Sequence, residues 1–153
     1  MSDSSTVAVL GGGSFGTVIA NIIAGNGHRV ALWLRNTARA EAINSQRQNA
    51  EYLPGYQLHD KLAATDSLAA AVEGVDILFV AVPSSSFREV VRELAGHISS
   101  DTLVVSLTKG IEPGSFRLMS EILGEELPAN PRGVLSGPNL AGEIAAGHIT
   151  GSV

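Results

Sequence analysis

The run Val7-Ala-Val-Leu10 passes directly into Gly11-Gly-Gly-Ser-Phe-Gly16 and then into Thr17-Val-Ile-Ala-Asn-Ile-Ile-Ala24. An apolar run this short reads as a strand buried on both faces. Phe15, Val18, Ile19, Ile22 and Ile23 recur at helical spacing and predict an amphipathic helix with those residues inward. Gly25-Asn26-Gly27 supplies left-handed backbone angles to end it, and Arg29-Val-Ala-Leu-Trp-Leu34 reads as a second strand. The first forty residues are therefore one β-α-β unit whose strand-to-helix turn is made of glycine. Two strands joined through a helix pair in parallel, with a right-handed crossover.

The alternation continues. Thr37 to Asn49 is a plausible helix, broken by Tyr52-Leu-Pro-Gly55, where proline restricts its predecessor and glycine permits a turn. Leu62-Ala-Ala-Thr65 predicts a third strand and Ser67 to Glu73 a helical segment. Asp76-Ile-Leu-Phe-Val-Ala-Val82 predicts a fourth strand ended by Pro83, with Ser84-Ser-Ser86 placed to cap the helix that carries Phe87, Val90, Val91 and Leu94 on one face. Thr102 to Leu107 predicts a fifth strand, Phe116 to Leu123 a helix, and Gly133 to Ser136 a sixth strand. Alternating strands and helices predict an α/β fold, a doubly wound, mostly parallel sheet in the order 3-2-1-4-5-6. No internal repeat or long linker divides residues 1–153, so one domain is expected. The last segment, Ile149-Thr-Gly-Ser-Val153, reads as a fragmentary strand, and a domain excised from a longer, two-domain protein is expected.

Composition narrows the function. The 153 residues are 44% hydrophobic and 16% charged, which argues against disorder. Ten basic against fifteen acidic residues give a net charge of -5, a balance that disfavours a nucleic-acid partner. The absence of cysteine excludes disulfides, thiolate zinc sites and thiol nucleophiles. The longest apolar run, Ile77 to Val82, is far too short to span a bilayer, and Met1 to Thr6 carries no basic or apolar leader. A soluble, cytoplasmic domain without a membrane partner is expected. His28, His59, His97 and His148 are scattered, so no metal is expected either.

The residues that carry chemistry begin at the turn. In Gly11-x-Gly13-x-x-Gly16, Gly11 permits a tight turn, Gly13 lets backbone approach a pyrophosphate, and Gly16 lets the helix pack on the strand. The helix N-terminus adds unpaired N–H groups, which suit phosphates. At the end of the second strand, where an acid would hold a ribose 2′-hydroxyl, stand Arg35 and Asn36, with Arg39 one turn later. An arginine pairs with a 2′-phosphate, so NADP is expected to be accepted beside NAD. Ligands of such sheets gather outside the carboxyl ends of the strands. Val82-Pro83-Ser84, Thr108-Lys109-Gly110 and Ser136-Gly137-Pro138-Asn139 all fall there. Lys109 could neutralise a substrate phosphate or polarise a carbonyl oxygen. Phe87 reads equally as a cofactor contact or a core residue, and Glu125-Glu126 reads as an exposed pair rather than a catalytic dyad.

Val9-Leu-Gly-Gly-Gly-Ser-Phe-Gly-Thr17, Leu32-Trp-Leu-Arg35, Tyr52-Leu-Pro-Gly55, Val80-Ala-Val-Pro-Ser84, Ser106-Leu-Thr-Lys-Gly-Ile-Glu112 and Leu135-Ser-Gly-Pro-Asn139 occur together and in order. With these motifs the chain resembles the N-terminal domain of bacterial NAD(P)-dependent glycerol-3-phosphate dehydrogenases over nearly its whole length. The resemblance implies reversible hydride transfer between sn-glycerol 3-phosphate and dihydroxyacetone phosphate, feeding phospholipid synthesis. It implies cofactor contacts at Ser14, Phe15, Arg35 and Ala141, and at Lys109, which would also touch substrate beside Gly137 and Asn139. Pro83 belongs to the same cofactor rim. Phe15 stands where relatives often carry Trp or Tyr, and Asn139 where they often carry Ser or Thr. The resemblance also implies that the main general acid/base, a lysine, belongs to a helical C-terminal domain beyond Val153. The fragment is then expected to bind cofactor without turnover, and the full-length protein is a candidate homodimer. Two alternatives remain at this point: a related dehydrogenase acting on 3-hydroxyacyl-CoA, ketopantoate or a UDP-sugar, and a nucleotide-binding module without chemistry.

Overall fold

The computed structural model describes residues 4–153. Six strands form one sheet: β1 (Thr6–Leu10), β2 (Arg29–Trp33), β3 (Leu62–Thr65), β4 (Ile77–Val80), β5 (Leu103–Ser106) and β6 (Arg132–Val134). Their order is β3-β2-β1-β4-β5-β6, and every pairing is parallel. The expected doubly wound sheet is therefore present, with its order reversing between β1 and β4. Six helices connect the strands: α1 (Ser14–Gly25), α2 (Thr37–Gln46), α3 (Leu68–Val72), α4 (Ser84–Glu93), α5 (Met119–Glu126) and α6 (Ala141–Ala145).

Side-chain alternation along β1 builds both halves of the core. Val7 and Val9 point to the side of α1 and α2, where they meet Ala20, Ala24, Ala40 and Ile43. Ala8 and Leu10 point to the other side, against Leu78, Val80, Phe87, Val90 and Ile122. All four are buried, which is why the run has no polar member.

Several expectations change. The sheet-facing side of α1 is not the isoleucine stripe but the small residues Gly16, Thr17, Ala20 and Ala24, with Val18; Ile22 is 43% exposed. The cause is the close docking of the helix: a Cβ on Gly16 would lie 2.0 Å from the Gly11 carbonyl oxygen, so only small side chains fit that side. The serines Ser84 to Ser86 lie in the first turn of α4; Pro83 is its N-cap, without a side-chain cap. The helix expected from Phe116 begins instead at Met119, because Phe116 takes a positive φ of 58° in a tight excursion where Ile111 bridges Leu118. Glu121 then accepts from the Leu118 N–H at 2.8 Å and opens the helix there. The Ile149–Val153 stretch forms no regular strand, although Ser136 and Val153 exchange both backbone hydrogen bonds, at 2.9 and 2.8 Å.

Phe87 is wholly buried between α4 and the sheet, so of its two readings the core one describes its place. Glu125 and Glu126 are not simply exposed. Both receive hydrogen bonds from Arg88 at 2.7 Å, and Glu126 also from Arg92.

Candidate functional site

A cavity of about 640 Å³ opens at the carboxyl ends of β1, β2, β4 and β5, at the point where the strand order reverses. That is the size of a cofactor or small-molecule site. Gly11, Gly13, Ser14, Phe15 and Gly16 line it from the β1–α1 turn, Arg35 from the end of β2, Pro83 from the end of β4, Lys109 from the end of β5, and Asn139 from beyond β6. Nine of the eleven site residues expected from sequence thus surround one space. Gly137 and Ala141 stand outside its lining: Gly137 packs where a Cβ would lie 2.4 Å from the Gly151 carbonyl oxygen, and Ala141 begins α6.

The glycine turn has the form a diphosphate requires. Gly11 has φ 125°, and a Cβ there would lie 2.3 Å from the Ala81 carbonyl oxygen, so β1 can turn this close to β4 only without a side chain. A Cβ on Gly13 would meet nothing within 4 Å, so its bare backbone fronts open space. Among the described residues, no acceptor is recorded for the N–H groups of Gly12, Gly13, Ser14 or Phe15. Four free amides at the positive end of a twelve-residue helix suit the oxygens of a pyrophosphate. On the far wall, Asn139 is 6% exposed and donates through Nδ2 to Ser152 Oγ at 2.8 Å, while its Oδ1 is buried without a partner among the described residues. A buried acceptor left free beside a cavity suits a hydroxyl or amide donor on a ligand. The residues present therefore fit a dinucleotide.

Among the described residues, no carboxylate lines the cavity at the β2 end. Arg35 is more than half exposed and reaches Glu89 only at 3.7 Å, an ion pair too open and too long to tie it down. Arg39 also lines the cavity; its Nη1 meets Glu51 at 3.0 Å and its guanidinium lies 4.8 Å from the Tyr52 ring centroid. The two arginines make this end cationic and flat-faced, which suits a phosphorylated ribose and a purine ring.

Lys109 is exposed, and among the described residues nothing bonds its Nζ. Its loop, in contrast, is tied at both ends. Thr108 Oγ1 donates to the Val82 carbonyl at 2.7 Å. Glu112 is gripped by Arg88, which also holds Glu125 and Glu126. Hydrogen bonds from Arg88 and Ser115 hold the Glu112 carboxyl down at a pKa of about 2. Those from Arg92 and Arg88 do the same for Glu126, also about 2. The three carboxylates push Arg88 upward in turn. Arg88 is thus a fixed cation at the base of the loop, and Lys109 is an exposed, unpaired one among the described residues.

Sequence reasoning missed this network, since charged residues twenty-four positions apart give no periodic signal. It also missed Asn49, which is 1% exposed and donates through Nδ2 to the Gly12 carbonyl at 3.0 Å and to Thr17 Oγ1 at 2.9 Å. Asn49 was expected to close the helix begun at Thr37, but α2 stops at Gln46 and leaves Asn49 in the connection that follows. Among the described residues, no group of three potential ligands gathers for a metal, and no helix is long and apolar enough to cross a membrane.

Comparison with known proteins agrees with this geometry. A family model described as the N-terminus of NAD-dependent glycerol-3-phosphate dehydrogenase matches residues 6–153. Curated proteins named glycerol-3-phosphate dehydrogenase, NAD(P)+, from Saccharophagus degradans and Teredinibacter turnerae are each 56% identical over all 153 residues, which cover 43% and 45% of their lengths. A 2.1 Å crystal structure of glycerol-3-phosphate dehydrogenase from Coxiella burnetii superimposes with a TM-score of 0.92 at 36% identity, over 97% of this chain and 46% of that one. The chain spans somewhat less than half the length of the relatives it matches.

Proposed function

The chain belongs to the family of NAD-dependent glycerol-3-phosphate dehydrogenase N-termini, and on that premise we propose that it is the NAD(P)-binding part of an enzyme that interconverts sn-glycerol 3-phosphate and dihydroxyacetone phosphate. One observation carries the reading: the free amides of Gly12 to Phe15 border the same cavity as Arg35 and Lys109. Pyrophosphate, ribose phosphate and reacting end of a dinucleotide each then have a matching group.

The nicotinamide, when bound, supplies or accepts the hydride. The chain's own residues bind and orient. The amides at the start of α1 take the diphosphate, and Gly11 and Gly16 let that backbone sit close to β4. Arg35 takes the 2′-phosphate when NADP is the cofactor, and Phe15 and Pro83 wall the cavity. Lys109 brings positive charge to the substrate, where it offsets phosphate or the oxygen that gains charge as hydride arrives. Asn139 Oδ1 accepts from a hydroxyl, and Gly137 and Ala141 shape the backbone on that side. The titratable side chains lining the cavity are Arg35, Arg39, Tyr52 and Lys109. None is a histidine or a carboxylate. Cofactor binding without turnover is therefore the activity proposed for this chain alone, and the proton transfer is assigned to a second domain of the whole enzyme.

Trp33 is the sole tryptophan and lines the cavity, so energy transfer from it to NADPH or NADH reports binding directly. Saturable transfer with both cofactors is expected. A chain that binds neither at millimolar concentration overturns the reading.

A further inference from the structure

Three glycines in succession, Gly11 to Gly13, form the least self-determined stretch of backbone in the molecule, since glycine alone holds no preferred orientation of its flanking peptides. Each is nevertheless fixed by one hydrogen bond. The Gly11 N–H donates to the Trp33 carbonyl at 2.9 Å, and the Gly13 carbonyl accepts from the Thr17 N–H at 3.0 Å. For Gly12 the partner is a side chain, the amide of Asn49. The peptide joining Gly12 to Gly13 is planar and trans, so its carbonyl and its N–H point in opposite directions. A carbonyl turned toward Asn49 leaves the Gly13 N–H turned away from it, and among the described residues that N–H has no partner.

Asn49 is itself immobilised. Its side chain is buried, its second contact is the Thr17 hydroxyl inside α1, and its backbone carbonyl accepts from Leu53 N–H at 2.8 Å. One turn further, Ser14 Oγ donates to the Tyr52 carbonyl at 2.6 Å and closes the same segment onto the helix start.

We propose that Asn49 is the positioning residue of the dinucleotide loop: its buried amide, by holding the Gly12 carbonyl, presets the Gly13 N–H to receive the diphosphate. The inference rests on the dinucleotide-binding reading above. Its test separates the diphosphate from the rest of the cofactor. NADPH and adenosine 2′-monophosphate, which lacks the diphosphate, are titrated calorimetrically into the wild-type chain and into Asn49→Ala and Asn49→Asp, each checked for folding by circular dichroism. The variants should weaken NADPH about tenfold or more, the scale of one lost hydrogen bond plus a freed peptide. Their affinity for adenosine 2′-monophosphate should stay within about twofold of wild type. Unchanged NADPH affinity, or equal loss of both ligands, overturns the proposal while leaving the cofactor reading intact. A wild-type chain that binds neither ligand overturns both. Should neither variant fold, the wild type still decides: its Gly13 amide resonance should move on adding NADPH and stay in place with adenosine 2′-monophosphate, and a Gly13 amide indifferent to NADPH overturns the proposal.

Discussion

Arg88 grips Glu112 with two parallel hydrogen bonds, Nε to Oε1 at 2.7 Å and Nη2 to Oε2 at 2.9 Å. The pair joins α4 to the loop that carries Lys109, and both side chains are less than a quarter exposed. A two-point contact fixes angle as well as distance, so the loop is held at its base. Glu112 is also the last residue of the Thr-Lys-Gly-Ile-Glu segment, whose presence therefore has a mechanical reason.

Acid should loosen this loop. Glu112 and Glu126 titrate at about 2 in the folded chain against an ordinary 4.5. Between those values the unfolded chain binds more protons than the folded one, so stability falls as pH falls. The contribution of the pairs is complete above about pH 4.5 and lost as pH drops toward 2. Glu112→Gln keeps the shape but lacks the charge. Its melting temperature should lie below wild type at pH 7, with the two curves converging near pH 2–3 (an approximate window set by linkage). A gap of constant size from pH 7 down to that window would show that Glu112 contributes no charge-dependent stability.

Gly16 should tolerate no side chain. An added Cβ would lie 2.0 Å from the Gly11 carbonyl oxygen and 3.3 Å from the Ala81 Cβ. Relief requires α1 to lift from the sheet, and overpacking of this sort costs about 1–3 kcal/mol. For a domain of this size each kcal/mol lowers the melting temperature by about 2–4 °C. Gly16→Ala should therefore melt several degrees lower and bind NADPH more weakly, because the amides move with the helix. Gly13→Ala, with nothing within 4 Å of its added carbon, should melt near wild type and lose only cofactor affinity. Thermal melts and NADPH titrations of the two variants check both halves.

The sheet was legible because its strands are apolar on both faces: Val7 to Leu10 and Ile77 to Val80 admit no reading but burial. The glycine turn was legible for a related reason, as glycines in a fixed pattern mark positions where backbone meets backbone, at Gly11 and Gly16, or lies bare to open space, at Gly13. The inward face of α1 was not. Hydropathy ranks Ile19 and Ile22 above Ala20 and Ala24, whereas close docking on the sheet ranks by size. The start of α5 was hidden because Phe116 continues the apolar spacing backwards but sits at positive φ. That Arg35 and Lys109 would face one cavity was readable from their places at strand ends. Asn49 and Arg88 were not, since what they do depends on partners 37 and 24 residues away.

Arg35 should discriminate between cofactors. It lines the cavity at the end of β2 and, among the described residues, is held only by a 3.7 Å contact with Glu89, so it is free to turn toward a 2′-phosphate. Arg35→Asp should weaken NADPH by about 1.5–3 kcal/mol, the worth of a hydrogen bond to a charged group. NADH has no phosphate there, and the new carboxylate offers its ribose 2′-hydroxyl an acceptor. Its affinity should hold or improve. Equal losses for both cofactors would mean that Arg35 does not read the phosphate.

On the proposed reading, Lys109 is the residue at which catalysis and mere binding can be told apart. It lies at the tip of a loop whose base is fixed by Glu112 and Thr108, and among the described residues its Nζ has no bond to give up. An unpaired cation on a loop held by hydrogen bonds can meet charge as it develops on the substrate. In an enzyme carrying this chain as its N-terminal part, Lys109→Met keeps the length of the side chain and removes the charge. The turnover number should fall by about 100-fold or more, the scale of losing one group that stabilises transition-state charge, while melting temperature stays near wild type because Lys109 is exposed. Binding of NADPH should weaken much less than kcat/KM falls, since the diphosphate and ribose ends are held elsewhere. A variant with wild-type turnover would remove Lys109 from the reaction and leave the cavity a binding site only.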